Sequence, residues 1–466
     1  MSVMTLLIQN GTVVRPDGLH ELDVLVEDGK IAALGRRGTL LAADETVDAA
    51  GKLVFPGFID AHTHFQMNAG APNETADSFA TGTRAAVAGG TTTIVDFATQ
   101  DRGASLARGL ETWHSRADGN CACNYGFHMA ITDWNDKVRR ELAGMTAAGV
   151  TSYKVYLAYD NLRLSDAAVY EILAAAREEG AIVSAHCENG DLVNEGIAAQ
   201  RRAGNLGPAG HPLSRPGCVE GEAVERFLAA AECAGAPAYV VHLSTKRGLE
   251  AALRARARGQ EVYLETCPQY LLLNEDKYLL PGFEGAKFVC SPPLRSPEDS
   301  AALWDALAAG AVDTLATDHC SFDYQGAKQL GRGDFSAIPN GMPGVETRPA
   351  LMLTWGRRHG LDWAKLCKLL SENPAKLFGM YPRKGIVAEG ADADLVVWDP
   401  ACRGTITAAA QVQNVDYTPF EGFPVEGRAD TVLVGGGIAV KGGTLRDLTL
   451  GRYVRRGPCQ RYRRTM

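Results

Sequence analysis

Gly57-Phe58-Ile59-Asp60-Ala61-His62-Thr63-His64 decides how this chain is read. An apolar run ends in two histidines one residue apart. Read as a β-strand, the run sends alternate side chains to opposite faces, so His62 and His64 point the same way. Two imidazoles on one face at a strand's end form a ready chelate for a transition metal such as zinc. His-x-His also occurs on exposed strands, so the weight falls on what ends the later apolar runs.

Downstream, strand-like runs recur at 91–97, 153–157, 181–186, 239–242, 262–265 and 314–318. Ala-rich helical stretches at 166–178, 221–234 and 247–258 lie between them. Repeated β-then-α predicts an α/β fold, a parallel sheet with helices outside. Pattern alone does not fix the number of strands. Both ends of the chain have a different texture. Leu6-Leu7-Ile8, Thr12-Val13-Val14, Asp23-Val24-Leu25-Val26 and Ile31-Ala32-Ala33-Leu34 are short apolar runs. Asn10-Gly11 and Asp28-Gly29 punctuate them as hairpin signals. The same texture returns in Asp394-Leu395-Val396-Val397-Trp398 and Thr431-Val432-Leu433-Val434. The expected organisation is a small β-sandwich built from both chain ends, 1–53 and 383–466, around a barrel at 54–382. The basic tail from Arg452 to Arg464 reads as a solvated end or an oligomer-contacting arm.

The 466 residues carry a net charge of -8, which argues against nucleic acid or an anionic membrane as partner. No stretch of about 20 apolar residues could span a bilayer, and no signal peptide is evident. The eleven cysteines are scattered without paired C-x-x-C knuckles. They read as reduced, buried thiols of a cytoplasmic protein.

In a parallel barrel, residues at the C-terminal ends of different strands converge on one mouth. His186, His242 and Asp318 each stand where a strand-like run gives way to polar or Gly-rich sequence. Singly, each has a plain alternative as a core histidine or a helix cap. Together, on separate strands, they make coincidence a poor account. Lys154 is the odd member, because an ammonium cannot ligate a metal and is costly to bury. It is either paired with a buried carboxylate or converted by CO2 to a carbamate, an anion with two oxygens that can bridge two cations. His128 reads as core, and His319 as facing away from Asp318 in a structural role. His20, His114, His211 and His359 read as loop or helix-surface residues.

The chain resembles the cyclic amidohydrolases, most closely the dihydropyrimidinase/hydantoinase group. The likeness rests on Pro56 to His64, Gly82 to Thr92, Lys154-Val155-Tyr156-Leu157-Ala158-Tyr159, Glu265 to Tyr270, Ser291-Pro292-Pro293-Leu294-Arg295, Thr317-Asp318-His319-Cys320, Asn340 to Glu346 and Asn373 to Gly379. The resemblance implies a TIM (β/α)8 barrel and a homotetramer. It also implies two divalent metal ions per subunit, with zinc favoured. His62, His64 and Asp318 would hold one metal, His186 and His242 the other, and carbamylated Lys154 would bridge them. Asp318 would move protons, Tyr159 would polarise the amide carbonyl, and Ser291 and Asn340 would hold the substrate through main-chain groups. The implied reaction opens dihydropyrimidines or 5-substituted hydantoins to N-carbamoyl amino acids.

Competing activities are weighed on particular residues. Dihydroorotases usually follow the histidine pair with an Arg that grips a carboxylate, whereas Phe65-Gln66-Met67 offers no cation. Allantoinase shares the ligands, but Phe65, Met67, Phe97, Tyr156 and Leu157 suit an apolar ring substituent better than a ureido group. A non-catalytic scaffold relative would lack the ligands, and here they are all present. Val155-Tyr156-Leu157 and Asn68-Ala69-Gly70-Ala71 depart from the many dihydropyrimidinases that carry Phe-Met and Pro-Phe there. They bring the chain closer to bacterial phenylhydantoinase-like enzymes.

Overall fold

The computed structural model describes residues 5–67, 74–446 and 449–462; the departure at Asn68-Ala69-Gly70-Ala71 lies outside them. Eight parallel strands form the central sheet: Phe58–Thr63 (β1), Thr91–Thr99 (β2), Asn124–Ala130 (β3), Ser152–Tyr156 (β4), Ile182–His186 (β5), Ala238–Val240 (β6), Val262–Thr266 (β7) and Thr314–Leu315 (β8). Each pairs with the next in chain order. The ring closes where Thr63 bridges His319 and the His64 N–H donates to the His319 carbonyl at 2.8 Å. This is the expected (β/α)8 barrel. β3 has no counterpart among the strand-like runs read above, because Asn124, Gly126 and His128 break its apolar character.

The outer helices form where a cap meets a helical stripe. Asp166–Glu178 starts at Ser165, whose hydroxyl accepts from the Ala168 N–H. It buries Val169, Ile172, Leu173 and Ala176, a 3.6-period face turned to the sheet. Gly217–Ala234 and Lys246–Ala257 repeat the arrangement.

The β-sandwich draws on both chain ends. One sheet is ordered Lys30–Arg36, Leu22–Glu27, Leu6–Gln9, Glu45–Asp48. The other joins Thr12–Arg15, Gly18–His20 and Leu53–Pro56 to Leu395–Thr405, Pro424–Val434, Gly437–Lys441 and Thr444–Leu445. Val13, Val24, Val54, Leu395, Val397 and Leu433 pack between them. The Asp28-Gly29 hairpin forms, both residues at positive φ (49° and 73°) as its tight turn requires. The Asn10-Gly11 hairpin does not: Leu6–Gln9 and Thr12–Arg15 lie in different sheets, and the chain crosses between them. Gly11 is needed for close approach instead, since a Cβ there would stand 2.8 Å from Val54 Cγ2.

The C-terminal tail is not a solvated end. Tyr453 pairs with Tyr125 ahead of the barrel floor, and Val454 packs with Ile59, Ala61, Val95 and Tyr263. The Arg456 guanidinium is buried and donates to Ser152 Oγ at 2.8 Å and to the Phe127 carbonyl. An open barrel floor would expose its apolar interior, and the tail covers it. Among the described residues, no helix is long and apolar enough to cross a membrane.

Candidate metal centre

At the other end of the barrel, His62 Nε2 and His64 Nε2 stand 3.1 and 3.2 Å from the same oxygen, Asp318 Oδ1. All three can offer a ligand atom within 4.8 Å of one another. Plain alternation does not aim them. Ile59 and Ala61 already face the interior, and β1 shifts register between Asp60 and Thr63. The irregularity lets His62 join its odd-numbered neighbours inside. His64 lies just past the strand.

The second group adjoins the first. His186 ends β5, and His242 follows β6 by two residues, with His186 Nδ1 and His242 Nε2 3.1 Å apart. The rings of His62 and His242 lie 5.3 Å apart between centroids. Val241 faces the interior, so alternation would turn His242 away; its φ of 38° brings it in. Asp318 and Tyr159 also have positive φ, 53° and 67°. Each such residue costs about 1–3 kcal/mol and persists where the surroundings over-determine it.

Lys154 lies on β4, fully enclosed, with Nζ 4.9 Å from the Phe97 ring centre and 5.4 Å from that of Tyr156. Burial pulls its amine down to about 8 against the opposing pull of Asp318 and Glu265. For Asp318, burial favours the neutral acid, but His62 and His64 outweigh it and hold the carboxyl well below its usual range. Burial likewise pushes Tyr159 up to about 12, so its hydroxyl stays protonated.

The donor set suits a borderline cation. Among the described residues, His62 Nε2 and His242 Nδ1 are buried ring nitrogens without a hydrogen bond of good geometry, and His62 Nε2 meets the Asp318 carboxylate oxygen at 3.1 Å. Such groups are costly unless something binds them. Imidazoles with a carboxylate are the donors that zinc and its neighbours take.

Several supporting residues were not singled out from the sequence. Glu265, at the end of β7, accepts from His62 Nδ1 at 2.6 Å, the Tyr239 hydroxyl at 2.6 Å and the His242 N–H at 3.1 Å. It fixes which nitrogen His62 turns to the site. Its position at a strand end was the available signal. Glu188 holds His186 Nε2 at 2.8 Å and Arg215 Nη1 at 3.0 Å. Burial opposes its ionisation, but Arg215 and His186 prevail and hold it at about 2. The same Arg215 nitrogen donates to Ser291 Oγ at 2.8 Å, which links the histidine pair to the Ser291 segment. Arg215 is far from any strand end in sequence, so nothing marked it.

Other expectations shift. Phe65 is fully buried instead: it packs on Phe79, on Gly82 and against the His319 ring. Leu157 turns into the main core. Phe97 lies under the histidines, its ring 5.0 Å from His64 and 4.6 Å from His62. Tyr156 stays close to Tyr159 and His186. His211 is not a surface residue; it is buried and bonds the Cys290 carbonyl at 2.7 Å through Nε2. His319 is buried against Asp77, and His128 bonds Ser152 and the Ala61 carbonyl in the core.

The Amidohydrolase family matches residues 53–439. The chain belongs to that family. A D-hydantoinase of Streptomyces coelicolor is 43% identical over 97% of this chain and 98% of its own. A D-hydantoinase of Geobacillus stearothermophilus is 44% identical over 94% of this chain and 93% of its own. The crystal structure of a dihydropyrimidinase from Brevibacillus agri superposes with a TM-score of 0.96, at 41% identity, over 98% of this chain and 100% of that one. The likeness of this amidohydrolase to them thus extends over 94–98% of its length.

Proposed function

We propose that this amidohydrolase opens the cyclic amide bond of 5-substituted hydantoins and dihydropyrimidines, giving N-carbamoyl amino acids. The observation that carries the reading is the convergence of His62, His64 and Asp318 on one point, with His186 and His242 beside it, in a family whose relatives bear hydantoinase names. Those names also favour the D-enantiomer of a substituted hydantoin.

His62, His64 and Asp318 would hold one divalent cation and His186 and His242 a second, zinc being favoured. Lys154, as a carbamate, would serve both; its depressed amine supports reaction with CO2, which needs the free base. Such a pair of cations supplies Lewis acidity and acidifies a water at neutral pH. The rest is done by the chain. Asp318 takes the proton of the attacking water on its carboxylate and passes it to the departing ring nitrogen. Tyr159 donates from its protonated hydroxyl to the carbonyl oxygen as charge builds there. Main-chain groups at Ser291 and Asn340 hold the ring's amide edge. We further place 54–382 as the catalytic barrel, flanked by sandwich pieces at 1–53 and 383–466. The proposed assembly is a cytoplasmic homotetramer with no nucleic-acid partner.

The test is kcat/KM for hydantoin, D- and L-phenylhydantoin, dihydrouracil, allantoin and dihydroorotate, with metal content measured alongside. The reading expects a hydantoin or dihydrouracil to lead. A clear preference for allantoin or dihydroorotate sinks the substrate assignment, and full turnover without metal sinks the centre.

A further inference from the structure

Lys328 is a buried lysine outside the metal centre, and among the described residues no carboxylate is bonded to it. It sits on the short helix Ala327–Gly331, in the excursion between β8 and Asn340. Its Nζ donates to two carbonyls, Val289 at 2.9 Å and Pro339 at 3.0 Å. One carbonyl lies two residues before Ser291, and the other immediately before Asn340. The same two segments meet directly where the Gly341 N–H donates to the Val289 carbonyl at 3.0 Å. Gly341 is pressed against Cys320, so that a Cβ there would stand 2.2 Å from the Cys320 carbonyl. Cys320 itself follows Asp318 by two residues, and its N–H donates to Met342 at 3.2 Å.

We propose that Lys328 is the positioning residue that fixes the spacing of the Ser291 and Asn340 segments, and so sets how well the chain grips the amide edge of its ring substrate. The inference rests on the reading that those two segments hold the substrate. The physical case is that a buried amine is costly to keep. An apolar side chain of similar length would fill the same space more cheaply. What the lysine adds is two directed bonds to main chain on either side of the proposed clamp. Burial brings its amine to about 7, and the neutral form still has two N–H groups for the two carbonyls. It makes no contact with reacting atoms, so its influence is on binding.

The experiment compares the full-length protein with Lys328→Met and Lys328→Gln. Three things are measured: KM and kcat on hydantoin, metal content, and amide hydrogen exchange over residues 289–292 and 339–342. The expected result for Lys328→Met is a KM raised about tenfold or more, kcat within about threefold and metal retained. Exchange should quicken in those two segments and not in the barrel strands. Lys328→Gln, which keeps an N–H donor, should fall between. An unchanged KM with unchanged exchange overturns the proposal. So does a fall in kcat at constant KM, or failure of both variants to give metal-loaded protein, since either assigns Lys328 a different role. If the unaltered protein turns over no cyclic ureide, the hydrolase reading fails; unchanged exchange in the variants is a separate failure, of the clamp.

Discussion

The two ends of the barrel are built on opposite terms. At the floor, apolar side chains from Ile59, Ala61, Val95, Ile182, Tyr239 and Tyr263 form a continuous layer, and the C-terminal tail seals it with Val454. At the mouth, imidazoles and a carboxylate crowd together, ring nitrogens lack hydrogen bonds of good geometry, and His242, Asp318 and Tyr159 sit at positive φ. The floor is apolar and continuous; the mouth concentrates backbone strain and buried polar groups. In a barrel this division lets the mouth change chemistry without loss of the scaffold. Substitutions at the mouth should therefore move activity and metal content, and substitutions at the floor should move stability.

The largest effect is expected at Lys154. Lys154→Ala removes the proposed bridging group, so most metal should be lost and turnover should fall to background. A short carboxylic acid added to Lys154→Ala should restore part of both, by placing a carboxylate where the proposed carbamate would lie. Lys154→Arg should do no better than alanine, because it keeps the charge and forms no bridge. Elemental analysis with rates on one preparation checks this; an active Lys154→Arg enzyme would remove the carbamate from the scheme. Next comes Asp318→Asn, which keeps the shape and loses the proposed base. The chemical step should drop by ~10²–10⁴-fold. Because Asp318 is also a proposed ligand, metal content separates the roles, and normal turnover at full metal would dismiss the assignment.

The boundary between what the sequence revealed and what it hid follows the same division. Apolar periodicity made β4, β5 and β7 and the helix Asp166–Glu178 plain, since each buries a continuous face. The proposed histidine and Asp318 ligands were legible because they end apolar runs, and Lys154 because it interrupts one. What was hidden depends on contacts remote in sequence. Glu265 meets His62 across 203 positions, and Arg215 meets Ser291 across 76. The tail failed to announce itself because Arg and Tyr look solvated until a cavity of matching acceptors receives them, as the Ser152 hydroxyl and the Phe127 carbonyl receive Arg456. The Asn10-Gly11 turn misled because a tight turn joins strands of two facing sheets as readily as strands of one. Phe65 misled because proximity in sequence to His64 says nothing about which side of the strand packs on Phe79.

A smaller effect sharpens the comparison at its edge. Glu265 lies below the proposed ligands and touches His62 without belonging to the set. Glu265→Gln keeps the volume but loses the charge that orients the imidazole, and an amide can present a donor where an acceptor is needed. Changes of this kind typically cost 10–100-fold in metal affinity. Competition with a chelator measures it, and unchanged affinity would show that His62 is oriented by packing on Phe97 alone.

The smallest effect is expected at the floor and is the most telling for the division itself. Val454 is 5% exposed and packs inside the barrel's lower layer, about as far from the mouth as the interior allows. Val454→Ala removes two methyl groups from that layer. At ~0.8 kcal/mol per buried carbon, with some cavity cost added, the loss should be about 2 kcal/mol. The tail's main-chain bonds, such as Val454 N–H to the Tyr125 carbonyl at 2.7 Å, do not depend on that side chain and should hold the strap in place. Stability should therefore fall, read as a lower midpoint in denaturant or a shorter half-life on heating. Metal content and kcat/KM should stay within about twofold, because none of the bonds that orient His62, His186 or Asp318 runs through Val454. If kcat/KM dropped as steeply as stability, floor and mouth would be one mechanical unit, and the separation of scaffold from chemistry would fail for this barrel.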